Sequence, residues 1–410
     1  DGAGRRAAGI ARGGLVGDVY LTGVPSGERI THVRVDTSVR RRLLTIEAGV
    51  EGLREGRPYA LRVRVMEDGR EVLAAGGGEL VETGAGGGRM TLRSAWADPK
   101  LWDADTPGNQ YDLLVELVED GRTLDAAHPV RFGFREFWID GRDFYLNGTR
   151  IFLSSVPLDN AQLGVGSANY AAARESMLRL RGIGINYVYT HNYGCEPGTH
   201  VSFEEALRAA DDVGMLVGLS QPHFGQYDWS SPDAEKTNGY AEHAAFYVRV
   251  AQNHPSVVFY PTSHNSAGYA EDMNPSILDD RDPPRSGGSL GRIRQILRAE
   301  SIIRALDPTR IVYHHSSGDL GSMFTVNFYT NWAPIQEMSD WFGYWATHGV
   351  KPIFTCEYCV PMSWDWTMYR GWYRGARNYG GATVPWEFCL AEWNAQFLGD
   401  EAFRISEPEK

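Results

Sequence analysis

Residues 185–220 contain, in order, Ile185-Asn-Tyr-Val-Tyr-Thr190, Phe203-Glu-Glu-Ala-Leu-Arg-Ala-Ala-Asp-Asp-Val213 and Met215-Leu-Val-Gly-Leu-Ser220. The outer runs are short and mostly apolar, as strands buried on both faces are. The middle run has helical spacing. A strand, a helix and a strand in that order read as one βαβ unit with parallel strands. The same alternation begins near Phe137 and extends through the rest of the chain. Strand-like runs fall at 151–156, 185–190, 215–220, 257–263, 311–315, 325–329, 353–358 and 382–388. Helical stretches fall at 171–180, 203–213, 241–252, 291–306, 335–345 and 368–377. Eight strands over residues 136–410 predict an α/β fold, the (β/α)8 TIM barrel. A smaller doubly wound sheet leaves strands unplaced, and no Gly-rich phosphate fingerprint follows any strand.

Residues 1–135 have a different period. Thr31-His-Val-Arg-Val35, Leu43-Leu-Thr-Ile46 and Tyr59-Ala-Leu-Arg-Val-Arg-Val65 alternate with period two, and Glu67-Asp-Gly69 and Glu119-Asp-Gly121 mark turns. Several short strands with such turns predict an immunoglobulin-like β-sandwich. It carries no titratable cluster and reads as a support. The long stretch 269–291, rich in Asp, Pro and Gly, reads as a loop over the barrel mouth.

The 410 residues carry a net charge of −12, which argues against a nucleic-acid partner because phosphate binding needs a basic face. No uninterrupted apolar stretch is long enough to insert in a membrane. The chain opens at Asp1 with no Met, so localisation is not readable there. Four cysteines are too few for a disulfide framework, and Cys356 and Cys359, on a strand-like segment, read as small buried hydrophobes rather than a zinc or redox pair. Eight of the twelve Trp follow residue 330. Indole faces stack on sugar rings and also fill cores.

A TIM barrel builds its site at the C-terminal strand ends. Polar residues crowd there: His191, Asn192 and Tyr193; Gln221 and His223; His264 and Asn265; His314 and His315; Asn327 and Tyr329; Glu357 and Tyr358; Trp386 and Glu387. Glu357 closes the apolar run Pro352-Ile-Phe-Thr-Cys356. A carboxylate there is costly unless solvated or paired, so it reads either as a nucleophile for glycosyl transfer or as an ion-pair partner.

The segment Phe132-Gly-Phe-Arg-Glu-Phe-Trp-Ile-Asp-Gly-Arg-Asp-Phe-Tyr-Leu-Asn-Gly-Thr-Arg-Ile-Phe-Leu153 resembles the lead-in to the barrel of family 2 glycoside hydrolases, which include β-galactosidases, β-glucuronidases and β-mannosidases. Leu101-Trp-Asp-Ala-Asp-Thr-Pro107 resembles the end of their immunoglobulin-like domain, and Gly14-Leu-Val-Gly-Asp-Val-Tyr-Leu21 the exit from their N-terminal jelly-roll. Residues 1–21 thus read as a jelly-roll remnant and the chain as a trimmed form. The resemblance implies an oligo- or polysaccharide substrate, no cofactor, a periplasmic or secreted bacterial enzyme, and a retaining mechanism with Glu357 as nucleophile. It also implies that Tyr329 hydrogen-bonds that nucleophile and that Trp386 floors the sugar site, with Asn327 among the substrate contacts. Trp364, His191, His223 and His314 complete the expected substrate contacts.

One departure stands out. Asn253-His-Pro-Ser-Val-Val-Phe-Tyr-Pro-Thr-Ser-His-Asn-Ser266 resembles the stretch that ends, in the family, in the acid/base carboxylate; here the two positions are His264 and Asn265. An amide supplies no proton, and general acid help is worth ~10²–10⁴ in rate. Four readings stay open: His264 as the acid, a loop carboxylate such as Glu271 or Asp272, a leaving group that needs little protonation, or a carbohydrate-binding pseudo-enzyme. The strand-end histidines keep a further alternative open, a metal-dependent barrel hydrolase or lyase, although no HxH or HxxEH motif supports it. Oligomeric state is not readable.

Overall fold

The computed structural model describes residues 19–84, 86–158, 169–190, 203–263, 287–328, 340, 342–358, 401, 404 and 406. The N-terminal region is a sandwich of β1 (Arg29–Ser38), β2 (Leu43–Glu51), β3 (Tyr59–Glu67), β4 (Arg70–Gly77), β5 (Glu79–Gly84), β6 (Gly87–Ala95), β7 (Tyr111–Glu119), β8 (Arg122–Ala126) and β9 (Val130–Phe132). One sheet runs β1-β2-β6-β5 and the other β4-β3-β7-β8, with β9 paired to β7. The alternation explains the packing. On β3, Leu61, Val63 and Val65 are buried while Arg62 and Arg64 are exposed. They meet Leu44, Ile46, Ala48 and Val50 of the facing sheet.

An antiparallel sheet follows: β10 (Phe137–Asp140), β11 (Asp143–Leu146) and β12 (Thr149–Ile151). This differs from the sequence reading, which starts the first barrel strand at 151. Asn147 at φ 50° and Gly148 at φ 87° make a tight hairpin turn, so the chain doubles back before it enters the barrel. The sheet has a clear use. Phe137 and Phe144 stack 5.9 Å apart, and both meet Phe259 edge-on at 5.1 and 5.7 Å. They thereby extend the barrel's inner core.

The barrel comprises β13 (Ser155–Pro157), α1 (Tyr170–Gly182), β14 (Tyr187–Tyr189), α2 (Glu204–Val213), β15 (Leu216–Gly218), α3 (Ala234–Thr237), α4 (Tyr240–Ala251), β16 (Val257–Thr262), α5 (Gly287–Leu306), β17 (Ile311–His314), β18 (Gly318–Leu320), β19 (Met323–Phe328), α6 (Gly343–His348) and β20 (Ile353–Tyr358). Strands β13 to β17 pair in parallel and in sequence, and β19 pairs in parallel with β20. Strand β18 is an antiparallel addition to β19. These are seven strands of a TIM barrel; the run expected at 382–388 lies outside the described residues. Helix α2 shows why the units form. Ala206, Leu207, Ala209, Ala210 and Val213 are buried, Glu204 and Glu205 complement the positive N-terminus, and Gly214 at φ 72° ends the helix.

Sandwich and barrel are joined by polar contacts at the N-terminal strand ends. The Asn253 side chain continues strand β1, accepting from Val35 N–H and donating to Val33 O, both at 2.9 Å. Trp102 is fully buried and donates from Nε1 to Asp211 O at 2.9 Å. Arg135 donates to Pro255 O at 2.9 Å and to Val257 O at 2.5 Å. Beside them His254 Nδ1 lies 2.6 Å from Asp211 Oδ2. Burial opposes the imidazolium, but the Asp211 and Glu204 carboxylates outweigh it and push the His254 pKa up to about 10.

A group raised in the folded state contributes fully below its unfolded pKa and loses that share as pH climbs to the folded value. The urea midpoint of the wild type is therefore expected to fall from pH 6.5 to pH 10 by more than that of His254→Gln. Parallel falls in the two proteins would remove the imidazolium from the seam.

Candidate active site

The floor of the barrel interior is aromatic. Tyr187, Tyr189, Tyr313 and Phe354 pack with centroids 5.5–5.9 Å apart around Phe354, edge to face. The Tyr187 and Tyr313 hydroxyls meet at 3.1 Å. This crowding leaves no room for a side chain at residue 218, where a Cβ would collide with the Tyr187 hydroxyl; glycine is needed there.

Above the floor, the register of β19 and β20 slips by one residue. Val326 pairs with Thr355, but Asn327 pairs with Glu357, so Cys356 is extra. Phe354 and Cys356 belong to the barrel core, and strict alternation would send Glu357 to the opposite face. The bulge turns it back. Tyr189 Oη donates to the Cys356 carbonyl and ties the bulge to the floor. Burial pushes the Cys356 thiol up to about 12, so at neutral pH it is an uncharged, small hydrophobe, as the sequence reading has it. Glu357 emerges with its side chain 13% exposed, and its Oε1 lies 3.7 Å from Nε2 of His315, which is 2% exposed.

The two adjacent histidines divide by parity. Residue 314 was assigned to the sugar from sequence, and the structure corrects this. His314 has no exposed surface; Nδ1 is 2.6 Å from Thr262 Oγ1 and Nε2 is 2.8 Å from Glu300 Oε2 on α5. It faces the helical layer. Burial opposes ionisation of Glu300, but hydrogen bonds and charge from His314 and Arg304 prevail and hold its carboxyl below the usual range. His315, one residue on, faces the mouth. It belongs to the polar rim read from sequence but not to the expected substrate contacts. The missing signal is which of Tyr313 and His314 faces inward, and both are buried.

Of the other expected contacts, Asn327 is buried at the register position of Glu357. His223 is half-buried; its Nδ1 accepts from Gly225 N–H at 3.0 Å, starting a short 3-10 turn. Gln221 is fully buried at the end of β15, with its N–H bonded to Pro261 O at 3.0 Å. His191, His264, Asn265, Tyr329, Trp364 and Trp386 lie outside the described residues, as do Glu271 and Asp272. Among the described residues no group of three or more His, Cys, Asp or Glu is placed to hold a metal ion, and no helix is long and apolar enough to cross a membrane.

Backbone strain marks the same rim. Ser263 has φ 60° and Ser316 φ 50°, both nearly fully buried. Arg42, Asp68, Asp120 and Asn147, the other non-glycine residues with positive φ among those described, lie in turns between strands. The serines instead end β16 and β17, one just before His264 and one just after His315. Such conformations cost about 1–3 kcal/mol each and gather at functional sites.

A partly exposed carboxylate thus ends the seventh described barrel strand, above an aromatic floor, in a barrel preceded by a β-sandwich. Two models of one family match the chain: the TIM barrel domain of glycosyl hydrolases family 2 over residues 198–397, and a glycosyl hydrolases family 2 model over residues 29–135. The chain belongs to glycosyl hydrolase family 2. Its fold is similar to that of a Bacteroides uniformis β-glucuronidase, with TM-score 0.62 and 18% identity over 82% of this chain and 41% of that one. It is also similar to a Parabacteroides merdae β-glucuronidase (0.57, 17%, over 80% and 39%). A third is the family 2 β-galacturonidase of Eisenbergiella tayi, solved with galacturonate (0.56, 16%, over 80% and 56%). The chain thus spans from about two fifths to just over half the length of these three structures.

If the left-handed serine is a strained fixture of the rim, Ser316→Gly keeps the backbone and shifts stability by under about 1 kcal/mol, while the β-branched Ser316→Val costs about 3 kcal/mol or more. Urea unfolding of both variants checks this; a tolerated valine would show that the turn relaxes freely.

Proposed function

We propose that this protein hydrolyses O-glycosidic bonds of an oligo- or polysaccharide with retention, through a glycosyl-enzyme on Glu357, with residues 1–135 as the supporting sandwich and 136–410 as the catalytic barrel. The observation that carries the reading is the re-aimed carboxylate. A strand that would point Glu357 away from the mouth is interrupted by one extra residue, and the side chain stays partly exposed at the rim of a family 2 barrel. A carboxylate held there can attack an anomeric carbon, and the covalent intermediate is then released by water. Asn327, Tyr329, His191, His223, Trp364 and Trp386 are proposed around the sugar. His314 is not, because its ring is committed to Thr262 and Glu300.

The general acid is not of the usual kind, since residues 264 and 265 are His and Asn. His264 is proposed as the acid, its imidazolium being a proton donor near neutrality. Asn265 is the feature that favours a second reading, a barrel that binds carbohydrate without cleaving it.

Wild type and Glu357→Gln are to be compared on a panel of p-nitrophenyl β-galactosides, β-glucuronides and β-galacturonides and on oligosaccharides. Loss of turnover by about 10⁴-fold or more is expected for Glu357→Gln, in line with removal of a covalent nucleophile. A fluorinated glycosyl donor that stalls at the intermediate should add its sugar mass to the Glu357 peptide. Equal turnover by the variant would end the nucleophile assignment; binding without turnover by the wild type would favour the second reading. Within the acid assignment, His264→Gln should slow glycosides with poor leaving groups by ~10²–10⁴ and spare activated aryl glycosides.

A further inference from the structure

The proposed chemistry employs Glu357 and gives no task to the ring beside it. His315 directly follows β17. Its Nε2 is 3.7 Å from Glu357 Oε1, and its ring centroid is 6.1 Å from that of Tyr189 on β14. Among the described residues, Glu357 on β20 and Tyr189 on β14 are titratable groups placed against it. Its backbone is held on both sides. The His315 N–H donates to Thr262 O at 2.9 Å, Ser317 Oγ donates to His315 O at 3.3 Å, and Ser316 between them takes the left-handed φ of 50°. A buried ring with so constrained a backbone has little freedom to point elsewhere.

We infer that His315 is the positioning residue of the nucleophile: its Nε2–H is aimed at one carboxylate oxygen of Glu357 and holds the other toward the anomeric carbon. This rests on the reading of Glu357 as nucleophile. The separation exceeds hydrogen-bond length, and roughly 1 Å of side-chain movement closes it; such bonds are often long before the reacting geometry forms. The ring exchanges no proton in the step. It orients through the donated N–H, and the other carboxylate oxygen is left free to form the new C–O bond. The sequence contributes the device through parity, since of the His314-His315 pair only the second reaches the mouth.

Two variants test this on whichever glycoside the wild type turns over. His315→Phe keeps the ring volume and loses the donor; His315→Gln keeps an N–H and cannot titrate. The expected result is a fall in kcat of about 10²-fold for His315→Phe with KM little changed, the size of effect that misorienting a reacting group by about 1 Å produces. His315→Gln, which keeps a donor to the carboxylate, is expected to recover most of that loss with KM again little changed. The rate of inactivation by the fluorinated glycosyl donor should follow kcat in each variant. Wild-type kcat in His315→Phe, or no recovery of kcat in His315→Gln, overturns the inference. If His315→Phe does not fold, His315→Asn, whose shorter amide falls short of Glu357, replaces it with the same expected loss of kcat. Glu357→Gln is measured alongside: an inactive Glu357→Gln with unaffected His315 variants sinks the positioning role only, whereas an active Glu357→Gln sinks the nucleophile itself.

Discussion

Alternation on β20 is the constraint from which the rest of the site follows. An extended strand sends neighbouring side chains to opposite faces. Phe354 meets Tyr187, Tyr189 and Tyr313 inside the barrel, and Cys356 is buried with them. Without an irregularity Glu357 would then face the helical layer, where an ionised carboxylate needs a cation or several donors. Glu300, which does lie in that layer, has both His314 and Arg304. The extra residue opposite β19 spares Glu357 that environment. The residue that fills the bulge must be small and apolar, and its carbonyl must find a donor; Cys356 and the Tyr189 hydroxyl meet both needs.

A carboxylate placed so exactingly requires a barrel that does not shear, and the contacts with the sandwich lie at the opposite strand ends. Asn253, His254 and Pro255 lead into β16, and all three carry bonds that reach β1, α2 or Arg135. Asp307, at the end of α5, has no exposed surface and gathers Arg310, Arg34 and Tyr260. Burial opposes its charge, yet Arg310, Thr309 and Tyr260 hold the carboxyl far below the usual range. The division is the one expected of this fold, with stabilising contacts at the N-terminal strand ends and the proposed site at the C-terminal ends.

Much of this was legible from sequence, for identifiable reasons. Period-two runs such as Tyr59–Glu67 announced the sandwich, and apolar runs such as Val257–Thr262 alternating with helical ones announced the barrel. The hairpin of β11 and β12 was not read because its strands are only four and three residues long and lie just before the run at 151–156 that reads as the first barrel strand. Glu357 was legible because a carboxylate closing an apolar strand is conspicuous. The bulge that aims it was not: a one-residue slip depends on what β19 presents opposite, and the sequence of β20 alone does not contain that information.

The choice between His314 and His315 shows why such sites resist reading even where the residues are noticed. In a sheet buried on both faces, hydrophobicity no longer distinguishes inside from outside. Tyr313 and His314 are each fully buried, one among the barrel's aromatics and the other against α5. Parity is then set by volume: the interior takes Tyr313 because its ring fills the space between Phe259 and Phe354, and the outer layer takes the smaller imidazole because Glu300 can satisfy it. Once Tyr313 is inside, His315 must be inside too, and the chain can leave the strand only by a sharp turn at Ser316. The strain at that serine follows from the same packing that puts an imidazole beside the carboxylate, so the geometry of the site and its backbone cost have one origin.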